Sequence, residues 1–102
     1  MMDERRNDQR RRTIRAGKIV YGSYRYVLDC MVREISPTGA RLRVEGAEEV
    51  PGEFMLYDMS DAVMQPVTVI WRKGKDVGVT FHGEAVSVHD SQDPRLARFR
   101  FM

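Results

Sequence analysis

The chain has 102 residues, of which 31% are charged and 42% are hydrophobic. This length accommodates one domain with a single hydrophobic core, and these fractions are typical of a folded domain rather than of a disordered chain. No apolar run approaches the roughly 18 residues of a membrane-spanning helix, and the arginine-rich start lacks the apolar stretch of a secretory signal. The single cysteine, Cys30, excludes an internal disulfide and a thiolate metal cluster, which indicates a cytoplasmic protein.

The excess positive charge is concentrated at the N-terminus. Residues 1–16 contain six arginines and three acidic residues, whereas residues 17–102 contain 11 basic and 12 acidic residues. Because residues 1–16 also have few apolar side chains, they are predicted to form a flexible basic arm, followed by one domain over residues 17–102. An arm of this charge attracts anions such as phosphate, nucleic acid or an acidic protein surface.

From Gly17 onwards the sequence consists of short segments in which apolar and polar residues alternate. This period of two predicts six strands, at residues 18–21, 26–33, 40–44, 54–57, 67–72 and 77–82. Turn residues separate the segments, and no helical stripe of comparable length is present. We therefore expect a mainly all-β domain, a six-stranded antiparallel barrel, in which closure removes the exposed strand edges.

The C-terminal residues are predicted to form a short helix. Asp93-Pro94 is typical of a helix start, with an acidic N-cap and proline at the first helical position. Such a helix would pack Leu96 and Phe99 against the barrel. The alternation of residues 98–101 also fits a strand.

The apolar alternation breaks between Glu34 and Ser36, just before Pro37-Thr38-Gly39. A break of this kind predicts a bulge or tight turn that redirects side chains, or else an ordinary loop between strands. Gly39 is predicted to supply a positive φ angle or a close approach of the backbone.

Two short motifs occur together in the sequence. The first is an Arg-x-x-x-Arg pair, Arg6 and Arg10, which are the only arginines within residues 5–12 that are spaced four apart. The second is the segment from Glu34 to Gly39. Together they resemble the PilZ domain, a bacterial receptor module for cyclic di-GMP, whose second motif is Asp/Asn-x-Ser-x-x-Gly. The similarity covers roughly residues 4–82 and includes Val-Ile-Trp-Arg leading to Gly-Val-x-Phe. It implies a PilZ-type barrel.

The resemblance also implies site residues. Arg6 and Arg10 would bind the phosphates and guanine edges of cyclic di-GMP, while Ser36 and Gly39 would line its other side. Arg5 occupies the position that is linked in this family to the number of ligands bound, and arginine there is compatible with a stacked ligand dimer. The chemistry agrees, because a guanidinium binds phosphate and guanine O6 and N7 in bidentate fashion and stacks on a purine.

Glu34 departs from the family pattern, which has Asp or Asn at this position. Its carboxylate can still accept hydrogen bonds from guanine N1 and N2, but the extra methylene changes its reach, and a misplaced carboxylate would repel phosphate. The sequence favours a cyclic di-GMP receptor that orders its arginine arm over the ligand and acts on a downstream protein partner. The alternative is a degenerate PilZ domain that binds no nucleotide and works as a protein–protein adaptor.

Nucleic acid is a less favoured ligand. The arginines of residues 5–12 could bind phosphate backbones nonspecifically. However, the strands show no interleaved aromatic platform, because Tyr24, Tyr26 and Trp71 are interpreted as scattered among core positions.

Catalysis has still less support, and we expect neither an enzyme, a cofactor nor a metal site. His82 and His89 lack the spacing of metal ligands. Cys30 is interpreted as a small core residue rather than a nucleophile. Ser36 has no sequence sign of a partner base, and Trp71 is assigned to the core.

Overall fold

The computed structural model describes residues 11–101. Within that range the chain forms strands β1 Arg11–Tyr21, β2 Tyr26–Ile35, β3 Gly39–Arg43, β4 Glu53–Asp58, β5 Val63–Lys73, β6 Asp76–Phe81 and β7 Val86–Ser87. A short 3₁₀ helix, Ala47–Glu49, precedes β4, and a second one, Pro94–Phe101, is the C-terminal helix.

Six of these strands close into an antiparallel barrel. Their hydrogen-bonded order is β4-β1-β2-β3-β6-β5, and pairing of β4 with β5 closes the ring. The two-residue strand β7, which the sequence pattern did not predict, pairs with the start of β5. The predicted six-stranded antiparallel barrel is confirmed, since each of its strands corresponds to one of the alternating segments.

Strand β1 begins at Arg11, seven residues before its predicted start at Lys18. Its first residues are polar and exposed, so cross-strand pairing rather than burial makes them a strand. Arg11 pairs with Ile35, and Arg12 pairs with Glu34 on β2. Residues 11–16 are therefore strand and not part of a flexible arm, and residues 1–10 lie outside the described range.

Ion pairs join this extension of β1 to the end of the neighbouring strand β4 and to the loop that follows it. The Nη1 atom of Arg15 lies 2.8 Å from Oδ2 of Asp58 and 3.2 Å from Oδ2 of Asp61. The two carboxylates raise the pKa of Arg15, chiefly through the hydrogen bond to Asp58. The backbone N–H of Met59 also donates to the Ala16 carbonyl at 3.2 Å, which ties the same loop to β1.

The barrel interior is apolar. All six barrel strands contribute buried side chains to it, and among these Ile19, Leu42, Val67 and Val77 have no exposed surface. Cys30 belongs to this cluster, and burial raises the pKa of its thiol to about 12. Its predicted place in the core is confirmed.

A second apolar cluster lies between the outer face of the barrel and the C-terminal helix. Leu96 and Phe99 are buried there, as predicted, and the Tyr57 hydroxyl donates to the Phe99 carbonyl at 2.9 Å. Asp93 acts as the predicted N-cap, because its Oδ1 accepts from the backbone N–H of Arg95 at 2.9 Å. The helix is of the 3₁₀ type, and the alternative strand does not form. Within residues 11–101, no helix has the length and apolar character needed to cross a membrane.

Two of the aromatic residues assigned to core positions are on the surface. Tyr26 is 54% exposed and stacks on Tyr21, with 5.3 Å between the ring centroids. Trp71 is 36% exposed. The core assignment is wrong for both.

Candidate functional site

An open pocket of about 150 Å³ lies on the outer face of the barrel, across β2, β3, β6 and β5. Three residues of the predicted site that fall within the described range, Glu34, Ser36 and Gly39, all line it. The structure adds lining residues from neighbouring strands and from the β2–β3 turn, mainly Thr38, Arg41, Ile70, Trp71, Gly78 and Thr80. The pocket thus combines charged, hydroxyl and aromatic groups on one sheet face.

A bulge in β2 directs Glu34 to this face. Val32 pairs with the buried Leu42, and the register then shifts so that Glu34 pairs with Arg41. Without the shift, alternation would point Glu34 into the barrel, as it does Val32. The predicted redirection of side chains is confirmed, although the bulge lies between Val32 and Glu34 and so precedes the predicted break.

The Glu34 carboxylate is held by a cross-strand ion pair. Nη2 of Arg41 donates to its Oε2 at 3.2 Å, and Nη1 of Arg41 lies 3.5 Å from Oδ2 of Asp76. The negative charge of this carboxylate is therefore partly neutralised by the guanidinium of Arg41, which reduces its repulsion of an anionic ligand.

Ser36 closes the β2–β3 turn. Its hydroxyl accepts from the backbone N–H groups of Thr38 and Gly39, at 3.3 and 3.2 Å, and its own N–H donates to the Gly39 carbonyl at 2.9 Å. The turn is fixed to β6, because the Thr38 carbonyl accepts from the Phe81 N–H at 2.8 Å. Ser36 therefore shapes the pocket rim through its hydrogen bonds within the turn.

Gly39 is needed where β3 packs against β6. A Cβ atom added there would lie well inside 3.0 Å of the Val79 carbonyl oxygen, a distance that real Cβ atoms do not show. The predicted close backbone approach is confirmed. The alternative of a positive φ angle is wrong, since the described glycines with positive φ are Gly22, Gly74 and Gly83.

The Trp71 indole packs against Gly78 of β6. A second bulge, between Val69 and Trp71 in β5, pairs Trp71 with Gly78 and turns its indole outward. A Cβ atom on Gly78 would overlap the indole nitrogen, so the missing side chain is what allows this contact. Together with the exposed Ile70, the indole gives the pocket a flat apolar surface suited to stacking.

The remaining predicted residues, Arg5, Arg6 and Arg10, lie outside the described residues. A second arginine pair with the same spacing, Arg11 and Arg15, begins the described chain, but Arg15 is committed to Asp58 and Asp61. Arg12 pairs with Glu34 in the β1–β2 register, so it belongs to the same face as the pocket.

This set of groups can recognise a planar base that carries phosphate. Trp71 offers a stacking surface, Glu34 offers acceptors for ring N–H groups, and Arg41 offers donors for anionic oxygens. Sequence reasoning missed Trp71 and Arg41, and the only signal for Arg41 was an arginine two residues after the motif glycine. Among residues 11–101, no group of three or more His, Cys, Asp or Glu side chains is placed to hold a metal ion.

No curated protein matches the chain. The PilZ domain family model matches residues 4–95, which include the N-terminal arginines, all the strands and the start of the C-terminal helix. Because the match covers most of the chain, the protein belongs to the PilZ domain family, whose members typically bind cyclic di-GMP and are generally non-catalytic receptor modules.

Proposed function

We propose that this protein is a receptor for cyclic di-GMP that binds the ligand between its N-terminal arginines and the pocket on the outer face of β2, β3, β6 and β5. In this proposal Arg6 and Arg10 bind the phosphates and guanine edges. Arg5 would extend the site toward a second, stacked ligand.

The observation that carries the proposal is the position at which the chain enters β1. Arg11 pairs with Ile35 and Arg12 with Glu34, so β1 begins beside two residues that line the pocket. Arg10 directly precedes Arg11, and Arg6 precedes it by five residues, which at full extension span about 17 Å. In this proposal, a chain of that length returning toward the pocket would bring both motif arginines to the ligand.

The pocket supplies the groups that a guanine nucleotide needs. The Trp71 indole would stack on a guanine, an interaction worth about 1–3 kcal/mol per base. The Glu34 carboxylate would accept hydrogen bonds from guanine N1 and N2, and the arginines would neutralise the two phosphates. Ser36 and Gly39 contribute by shaping the rim rather than through free polar groups, because the Ser36 hydroxyl is used within the turn.

The signal would be the ordering of residues 4–10 over the ligand. Fixing these residues costs conformational entropy, which the arginine–phosphate contacts offset, and the resulting surface can be recognised by a downstream protein. Amide hydrogen exchange tests this step directly. Exchange in residues 4–10 should slow when the ligand is added, and confirmed binding with unchanged exchange would refute the ordering mechanism.

Isothermal titration with cyclic di-GMP at low salt tests the proposal itself. The wild-type protein should bind with micromolar or better affinity. Arg6→Ala or Arg10→Ala should weaken binding about 10- to 100-fold, since each removes charge-assisted hydrogen bonds. Arg25→Ala is the matched control, because Arg25 is exposed in the β1–β2 turn at the far end of β1.

The absence of binding heat from a folded wild-type protein at high ligand concentration would refute the receptor function. That result would leave the protein–protein adaptor as the remaining hypothesis. Equal losses in the Arg6, Arg10 and Arg25 variants would also contradict the proposal, because they would indicate nonspecific attraction of an anion by the total charge.

A further inference from the structure

We infer that Arg41 is a positioning residue of the ligand site. It holds the Glu34 carboxylate where it can accept hydrogen bonds from guanine, and its positive charge reduces the repulsion between that carboxylate and the ligand phosphates. This inference rests on the proposed function. It concerns the one motif position at which the chain departs from its family, because Glu34 stands where the pattern has Asp or Asn.

The contact between the two residues follows from the strand register. Glu34 and Arg41 are directly opposite each other on β2 and β3, and Oε2 of Glu34 accepts from Nη2 of Arg41 at 3.2 Å. Their side chains are 22% and 27% exposed. A pair at this depth is only partly screened by water, so it restricts the carboxylate more than a fully exposed pair would.

Arg41 forms a second ion pair, with Asp76, which is not one of the residues that line the pocket. Its Oδ2 lies 3.5 Å from Nη1 of Arg41, and its Oδ1 lies 3.6 Å from Nη1 of Arg43. Among the described residues, Oδ1 of Asp76 is a buried oxygen without a hydrogen-bond partner, so this carboxylate depends on the two guanidinium groups for its stabilisation. Asp76 starts β6 and does not line the pocket, which gives Arg41 an anchor independent of the ligand.

The length of Glu34 is matched to this arrangement. Replacing it with Asp removes one methylene and withdraws the carboxylate by up to about 1.5 Å, the length of one carbon–carbon bond. Starting from 3.2 Å, the oxygen would then lie beyond hydrogen-bond distance of Arg41. In this chain the family's shorter acid would therefore lose its contact with Arg41, and with it the part of the charge compensation that Arg41 provides.

The test compares ligand binding in four proteins: wild type, Glu34→Asp, Arg41→Met, and the double variant Glu34→Gln/Arg41→Met. Each is titrated with cyclic di-GMP and with cyclic di-AMP. Adenine has neither the N1–H nor the N2 amino group of guanine, from which Glu34 would accept hydrogen bonds. Glu45→Asp is the matched control for the shortened acid. Glu45 also forms an ion pair, to Lys75 at 2.7 Å, but both residues lie in turns and neither lines the pocket.

We expect Glu34→Asp to weaken cyclic di-GMP binding about three- to tenfold and to reduce the preference over cyclic di-AMP. Arg41→Met should weaken binding more, and the double variant should recover part of that loss, because Glu34→Gln also removes the negative charge that the lost guanidinium had offset. Glu45→Asp should bind as the wild type does. Melting temperatures of all variants show whether the fold is retained.

Two outcomes overturn the inference in distinguishable ways. If the wild type binds and Glu34→Asp binds equally well or more tightly, Arg41 does not position Glu34, and the proposed receptor function stands. If the folded wild type does not bind cyclic di-GMP, the proposed function fails and the inference fails with it.

Discussion

Replacement of Gly39 by Ala tests whether the motif glycine acts through the fold or through the ligand. The added methyl would lie well inside 3.0 Å of the Val79 carbonyl oxygen. That neighbour is backbone in a paired strand and cannot rotate away, so β3 and β6 must separate by several tenths of an ångström. Overpacking of this kind costs about 1–3 kcal/mol, and weakening the backbone bond from the Phe81 N–H to the Thr38 carbonyl adds about 1 kcal/mol.

The expected loss of unfolding free energy is therefore about 2–4 kcal/mol. Urea denaturation without ligand measures it, and thermal unfolding should show a decrease in melting temperature of about 10 °C or more. Gly52→Ala is the matched control, because no atom lies within 4 Å of a Cβ added there, and its unfolding free energy should stay within about 0.5 kcal/mol of the wild type. A Gly39→Ala protein as stable as the wild type but unable to bind cyclic di-GMP would refute this reasoning and assign the glycine to ligand contact.

Three further predictions concern parts of the chain outside the pocket. Tyr57→Phe should lower the unfolding free energy in urea by about 1–2 kcal/mol, because it leaves the buried Phe99 carbonyl without its donor, and an unchanged value would contradict the anchoring role of the hydroxyl. Burial raises the thiol pKa of Cys30 from 9.0 to about 12, so at pH 8 the folded protein should react with a disulfide reagent about 1,000-fold more slowly than the protein unfolded in urea. Equal rates in the two states would show that the thiol is accessible in the folded protein. The hydrogen bond and charge of Arg95 lower the pKa of Asp93 below its ordinary value of 3.8. The pair should therefore contribute to stability above pH 3.8, and this contribution should be lost as the pH falls through the lowered pKa of the folded state. An NMR titration of the Asp93 carboxyl with a midpoint at or above 3.8 would contradict this.

The barrel was predictable because its interior follows a simple period of two. Side chains such as Leu42, Val67 and Val77 alternate with polar residues, and they are the ones that fill the core. The start of β1 was not predictable in this way, because residues 11–16 gain stability from pairing with β2 and from the contacts of Arg15 with Asp58 and Asp61. Neither of these contacts leaves a pattern in the local sequence.

Only part of the site was predicted, because the sequence shows local motifs but not the contacts between strands. Ser36 and Gly39 were found through a motif, and the motif marks residues that shape the β2–β3 turn and its packing on β6. Arg41 and Trp71 were missed because their roles depend on partners in other strands. A cross-strand neighbour is fixed by register, which a single sequence does not specify at an irregular position.

Two register shifts, one in β2 and one in β5, create the pocket. Both occur where regular alternation would have directed the next pocket side chain into the barrel interior. Val32 and Val69 face the interior, so residues 34 and 71 would follow them if the strands were regular. A bulge after each valine instead places Glu34 beside Arg41, and Trp71 over Gly78, on the same outer face. One bulge alone would leave either the carboxylate or the indole inside the barrel. Because both must be present for the two groups to meet a common ligand, we conclude that the irregularities of β2 and β5 belong to the site as much as the side chains they redirect.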